Sequence, residues 1–81
     1  MPTVLVVDDE RLIRDLLQRI LVSHGYDVVT GGSGSEALEL FQRYRPQITL
    51  LDLNMPGMNG ITALKRLRGL SPMNLTRAIR P

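Results

Sequence analysis

Three aspartates are the residues of this sequence best suited to chemistry. Asp8 ends the apolar run at residues 3–8 (TVLVVD) and Asp9 follows it, while Asp52 lies near the end of a second run at residues 47–53 (QITLLDL). If the runs are neighbouring parallel strands, their carboxyl ends meet at one sheet edge and the acids converge. Carboxylates this close repel one another unless a cation neutralises them, and oxygen ligands without His or Cys suit Mg²⁺. The pattern therefore predicts a magnesium site able to handle a phosphoryl group.

A simpler interpretation of the first two acids is structural. Asp8 and Asp9 directly precede a predicted helix, where acidic residues interact favourably with the helix dipole. An isolated pair would favour this interpretation. It leaves Asp52 unexplained after an apolar strand, so the three acids together favour a metal site.

Alternating strands and helices must position these acids. Residues 12–21 carry an apolar stripe at helical spacing, with Gly25 predicted to end the helix in a left-handed conformation. A second strand is predicted at residues 26–30, and Ser33 with Glu36 forms a capping box that opens a helix to about Tyr44. After the third strand, Asn59 is predicted to cap a third helix at residues 60–68. This order indicates an α/β fold with a parallel sheet and right-handed crossovers.

Composition limits the class of protein. The chain has 81 residues, is 43% hydrophobic and 22% charged, and contains no cysteine, which predicts one small globular domain in a reducing, cytoplasmic setting. The apolar N-terminus meets acids at once, so neither a signal peptide nor a membrane span is expected. All eight acids lie in residues 1–59, whereas residues 60–81 carry five of the ten cations. With no aromatic residue in that basic segment, solvated cations are favoured over a nucleic-acid site.

Three segments resemble the receiver domain of two-component response regulators. They are residues 4–10 (VLVVDDE), 33–41 (SGSEALELF) and, most specifically, 50–60 (LLDLNMPGMNG). The resemblance implies a flavodoxin-like module in which Asp52 accepts a phosphoryl group from a histidine kinase. It also implies that Asp9 and Asp52 bind Mg²⁺ directly, that Asp8 reaches the metal through water, and that the backbone carbonyl of Asn54 is a further ligand. Such a protein is a phosphoacceptor and not an enzyme, beyond its own phosphorylation and dephosphorylation.

The resemblance covers residues 3–68 and implies only part of the family fold. We expect a three-layer α-β-α receiver with strand order 2-1-3 at residues 1–69, and an irregular basic tail at residues 70–81. The family adds a fourth strand ending in Ser or Thr and a fifth ending in Lys, which residues 72–81 (PMNLTRAIRP) do not match. An unpaired third strand would then be an exposed edge. We therefore predict either self-association through that strand or the bared apolar face, or poor folding as a monomer.

Two alternatives belong to other functional classes. One is a docking or decoy module that keeps the receiver surface without a working switch. The other is a dinucleotide-binding fragment, because Gly32, Gly34 and Ala37 form G-x-G-x-x-A between a strand and a helix. That motif is weak alone, since a dinucleotide site needs two mononucleotide halves and the glycines suit a turn.

Overall fold

The strands and helices alternate in the order that the hydrophobic pattern predicts. This computed structural model describes residues 2–52, residue 69 and the backbone of residues 75–80. The elements are β1 (Thr3–Val7), α1 (Arg11–Ser23), β2 (Asp27–Gly31), α2 (Gly34–Tyr44), β3 (Ile48–Asp52) and β4 (Leu75–Arg80). The helix predicted at residues 60–68 lies outside the described residues.

The four strands form one parallel sheet with β1 inside it. The order is β2-β1-β3-β4, so the predicted order 2-1-3 is confirmed, and β1 pairs with both β2 and β3. Four consecutive β1 residues, Val4 to Val7, are buried because both faces of the strand are covered. Leu5 and Val7 lie on the face that carries α2, and alternation directs Val4 and Val6 to the face that carries α1.

The prediction of an irregular tail at residues 70–81 is wrong for residues 75–80. Leu75–Arg80 forms β4 and pairs in parallel with β3, so β3 is flanked by strands on both sides and is not an exposed edge. The sequence LTRAIR lacks the continuous apolar run that marks a buried strand. An outer strand needs no such run, because its strand hydrogen bonds go to one neighbour and charged residues are common there.

Helix α1 buries less of its apolar stripe than the sequence predicts. Ile13, Leu17 and Leu21 are half-buried, whereas Leu12 is 81% exposed and Leu16 is 54% exposed. Among the described elements α1 contacts only β1 and β2. A stripe this wide therefore exceeds the contact area that those two strands offer.

Local backbone chemistry sets the ends of both helices. After α1, Gly25 adopts φ 89°, which confirms the predicted left-handed stop. At the start of α2, Ser33 Oγ accepts a hydrogen bond from the Glu36 amide at 3.2 Å. Glu36 Oε2 accepts from the Gly32 amide at 2.9 Å, one residue earlier than a standard capping box. Arg45 ends α2 in the left-handed region at φ 48°, next to Pro46.

One apolar cluster joins α2 to the sheet. Ala37 and Phe41 of α2 pack with Leu5, Val7 and Leu51, and all five are fully buried. Leu51 directly precedes Asp52, so this cluster supports the strand end that carries the third predicted site residue. No helix in the described ranges combines the length and hydropathy needed to cross a bilayer.

Candidate metal centre

The sheet brings the three predicted acids together at one edge. Asp8 follows β1, Asp52 ends β3, and the register pairs Val7 with Leu51 immediately before them. One carboxylate oxygen from each of Asp8, Asp9 and Asp52 can be chosen so that all three lie within 4.8 Å of one another. Asp52 is separated from Asp9 and Asp8 by 43 and 44 positions in the chain, so their predicted convergence is confirmed.

Burial divides the three acids into two kinds. Asp8 and Asp52 are fully buried, whereas Asp9 is exposed. Two buried carboxylates so near a third acid repel one another strongly, because the protein interior screens charge less than water does. Asp9 therefore forms the solvent-facing side of the cluster.

Helix capping explains little of this arrangement. The N-cap of α1 is Glu10, whose own side chain makes no capping hydrogen bond. Asp8 Oδ1 accepts from the Glu10 amide at 2.9 Å, a local turn that uses one of its two carboxylate oxygens. The Asp8 amide donates to the Gly31 carbonyl at 3.1 Å, which fixes the residue to the end of β2. Capping therefore gives no reason for the approach of Asp9 and Asp52.

The donor set fits Mg²⁺. All the candidate ligands are carboxylate oxygens, which suit a hard divalent ion. With Mg–O distances of about 2.1 Å, two ligands of one ion lie at most about 4.2 Å apart. The 4.8 Å limit on the cluster therefore requires only a small side-chain adjustment, or a water between one acid and the ion.

His24, the single histidine, is the C-cap of α1 and its Nδ1 lies 2.8 Å from the Ile20 carbonyl oxygen.

Two further positions bear on the predicted site. Asn54 lies outside the described residues, so its carbonyl stays a predicted ligand. In β4 the register pairs Arg80 with Asp52 and Thr76 with Thr49. Thr76 thus lies three residues before the end of β3, and Arg80 holds the position beside the aspartate. The sequence alone did not reveal this placement, because β4 was not recognised as a strand.

A model of the response regulator receiver domain matches residues 4–78. The chain therefore belongs to the response regulator receiver family. It is 39% identical over 70 residues to the probable transcriptional regulatory protein TcrX of Mycobacterium tuberculosis, covering 86% of this chain and 30% of TcrX. It is also 40% identical over 65 residues to sporulation initiation phosphotransferase F of Bacillus subtilis, covering 80% of this chain and 52% of that protein. The chain thus spans about a third to a half of these relatives.

Solved structures give the same assignment. The response regulator TrrA of Thermotoga maritima, in complex with Mg²⁺-BeF, superposes with a TM-score of 0.87 and 35% identity. The match covers 99% of this chain and 68% of TrrA. In a second structure TrrA is in complex with the histidine kinase ThkA, and there the TM-score is 0.89. The resemblance to two-component receiver domains and the CheY-like, flavodoxin-type fold are confirmed.

The glycine motif that imitates a dinucleotide site has a structural role here. The Gly32 amide donates to Glu36 Oε2, so it is engaged within the turn that opens α2. Gly34 is the first residue of α2 and Ala37 is buried in the core cluster. These contacts account for the small residues without a bound phosphate.

Proposed function

We propose that this chain accepts a phosphoryl group on the Asp52 carboxylate, from a phosphohistidine of a sensor histidine kinase, with Mg²⁺ held by the acid cluster. The observation that carries the proposal is the convergence of Asp8, Asp9 and Asp52 at the carboxyl edge of the sheet. Family membership and the TrrA structures, one with Mg²⁺-BeF and one with a histidine kinase, support it.

In this mechanism Asp52 is the nucleophile. One of its carboxylate oxygens attacks phosphorus in line while the phosphorus–nitrogen bond to the kinase histidine breaks, and that nitrogen keeps the electron pair. Asp9 and Asp52 would bind the ion directly and Asp8 through water. An ion held by these three residues would supply positive charge against the negative charge that spreads over the phosphoryl oxygens. Burial of Asp52 keeps its carboxylate shielded from bulk water before transfer.

The product is a mixed anhydride, so we expect it to hydrolyse readily. No turnover of another substrate is proposed. Residues 75–80 place no hydroxyl residue opposite Asp52, because Arg80 holds that position. A response that depends on a strand-end Ser or Thr is therefore not part of the proposal.

Phosphoryl transfer from a small donor tests the proposal. We expect incubation with acetyl phosphate or phosphoramidate and Mg²⁺ to add the mass of one phosphoryl group, measured by intact-protein mass spectrometry. The gain should disappear when a chelator replaces Mg²⁺, because the three carboxylates alone repel the incoming anion. Folded protein that gains no mass under either condition would contradict the proposal.

A second candidate function is self-association through the outer side of α1. Leu12, Leu16 and Ile20 follow one another at four-residue spacing on this side and are 81%, 54% and 46% exposed. Asp15 and Arg19 flank this stripe, and together with Leu12 and Leu16 they line a depression of about 190 Å³. In an antiparallel pair of α1 helices, Asp15 of one copy can face Arg19 of the other, so the charges favour a second copy of this chain.

Substitution of Leu16 tests this candidate. We expect Leu16→Lys to lower the sedimentation-derived association constant, since it places two like charges at the centre of the helix pair. Val22→Lys is the matched control, because Val22 is also 54% exposed but lies outside the stripe. Equal association of both variants and the unmodified chain would contradict self-association through α1.

A further inference from the structure

Arg14 differs from the other arginines in the described part of the chain. Among residues 2–52 it is the only arginine that is not exposed. Its Nη1 donates a hydrogen bond to the backbone carbonyl of Asp8 at 2.7 Å. The side chain thus reaches from the second turn of α1 back to the loop that carries the first two acids.

The same guanidinium lies against a second loop. A Cβ atom placed on Gly32 would lie 3.2 Å from Arg14 Nη1 and 3.6 Å from Glu36 Oε2. Gly32 is thus at a close approach between the arginine and the start of α2. Arg14 therefore lies between the β1–α1 loop and the β2–α2 turn.

We propose that Arg14 is a positioning residue for the metal centre, an inference that rests on the proposed function. Its bond holds the carbonyl oxygen of Asp8, while the Asp8 amide is held by Gly31 and Oδ1 by the Glu10 amide. The Arg14 bond holds the peptide between Asp8 and Asp9 itself, while the other two hold the preceding peptide and the Asp8 side chain. The orientation of the peptide between Asp8 and Asp9 sets the direction in which the exposed Asp9 side chain leaves the backbone. Arg14 thereby keeps Asp9 converged on the two buried acids.

The direction in which substitution of Arg14 changes Mg²⁺ affinity distinguishes a positioning role from a purely electrostatic one. Removing a positive charge about 8 Å from a bound Mg²⁺ ion, without any other change, strengthens Mg²⁺ binding by about sixfold in salt-free water and by about twofold when salt at about 0.15 M screens the charges. Loss of a group that orients metal ligands weakens metal binding, typically by about 10-fold or more. We expect the second effect to dominate, so Arg14→Gln should bind Mg²⁺ about 10-fold more weakly.

Isothermal titration of Mg²⁺ into four variants tests the inference. Arg14→Lys keeps the charge and one donor, so its affinity should lie between those of Arg14→Gln and the unmodified chain. Gly32→Ala keeps Arg14 but places a methyl group against its guanidinium, so it should also weaken binding. Arg43→Gln is the control, because it makes the same charge change at an exposed arginine of α2.

The metal-free protein provides an independent measurement. We expect the amide NMR signals of Asp9 and Glu10 to shift in Arg14→Gln and Gly32→Ala, and to stay unchanged in Arg43→Gln. If Arg14→Gln does not fold, Arg14→Lys and Gly32→Ala carry the comparison. Unchanged or tighter Mg²⁺ binding in the Arg14 and Gly32 variants would overturn the inference. Absence of Mg²⁺ binding in the unmodified chain would instead overturn the proposed function, while the NMR comparison still reports whether Arg14 orders the loop.

Discussion

Replacing Asp52 with asparagine is expected to abolish phosphoryl acceptance. The amide has nearly the same shape as the carboxylate, but its oxygen is a far weaker nucleophile and the acyl phosphate cannot form. After incubation with acetyl phosphate and Mg²⁺, Asp52→Asn should show no gain of phosphoryl mass. Asp27→Asn, an exposed acid at the start of β2, removes the same charge at the opposite end of the sheet and should react normally.

In the absence of metal, Asp52→Asn is expected to stabilise the folded chain. Asp52 is fully buried, and its carboxylate lies within 4.8 Å of an oxygen of both Asp8 and Asp9. Removing one of three mutually repelling charges should raise the free energy of unfolding by about 1 kcal/mol in metal-free buffer. Added Mg²⁺ should then stabilise the unmodified chain more than the variant, because binding to the folded state shifts unfolding by mass action.

Denaturant unfolding with and without Mg²⁺ measures the free energy of unfolding of Asp52→Asn and of the unmodified chain. If Asp52→Asn gains phosphoryl mass at the rate of the unmodified chain, another residue is the acceptor. If it is destabilised in metal-free buffer, repulsion within the cluster is not the dominant electrostatic effect at Asp52. The two results are independent, so the chemical role and the electrostatic role of the residue are tested separately.

The sequence was sufficient to predict where the acids meet. Continuous apolar runs mark β1 and β3 as buried parallel strands, and parallel strands end at one edge of a sheet. Asp8 and Asp52 therefore converge for reasons that are local to each strand and general to the fold. The ends of α1 and α2 were also predictable, because Gly25 and Ser33 act on backbone groups within a few residues.

The sequence was insufficient where the outcome depends on a distant partner. The strand at Leu75–Arg80 exists through its pairing with β3, and its own residues alternate too little in hydropathy to predict it. Helical spacing puts Arg14 among the polar residues of α1, and only the folded loops reveal its bond to Asp8. Leu12 and Leu16 belong to the apolar stripe by spacing, yet α1 contacts too few strands to bury them.

The sequence also does not predict which aromatic residue of α2 is buried, because Phe41 and Tyr44 look equivalent in it. They lie one turn apart on α2, but Phe41 is fully buried and Tyr44 is 46% exposed. Phe41 packs with Leu5, Val7 and Leu51 in the core cluster. The Tyr44 ring lies at the surface, with the Arg43 guanidinium 5.6 Å from its centroid.

Truncation of Phe41 is therefore expected to cost a large part of the stability of the chain. Phe→Ala in a packed core typically lowers the free energy of unfolding by about 3–5 kcal/mol. Natural domains have about 0.05–0.15 kcal/mol of stability per residue, which corresponds to about 4–12 kcal/mol for 81 residues. Phe41→Ala should thus remove about a quarter or more of the total, and at the lower end of that range the variant would be unfolded at 25 °C.

Tyr44→Ala is the matched control for this prediction. It removes an aromatic side chain from the same helix, but from its exposed side, so the expected cost is below about 1 kcal/mol. Urea unfolding followed by far-ultraviolet circular dichroism measures both variants, since the chain contains no tryptophan. Because Leu51 joins Phe41 to the strand end at Asp52, Phe41→Ala should also weaken Mg²⁺ binding, although no ligand is altered. Equal losses of stability in the two variants would mean that α2 does not pack through Phe41.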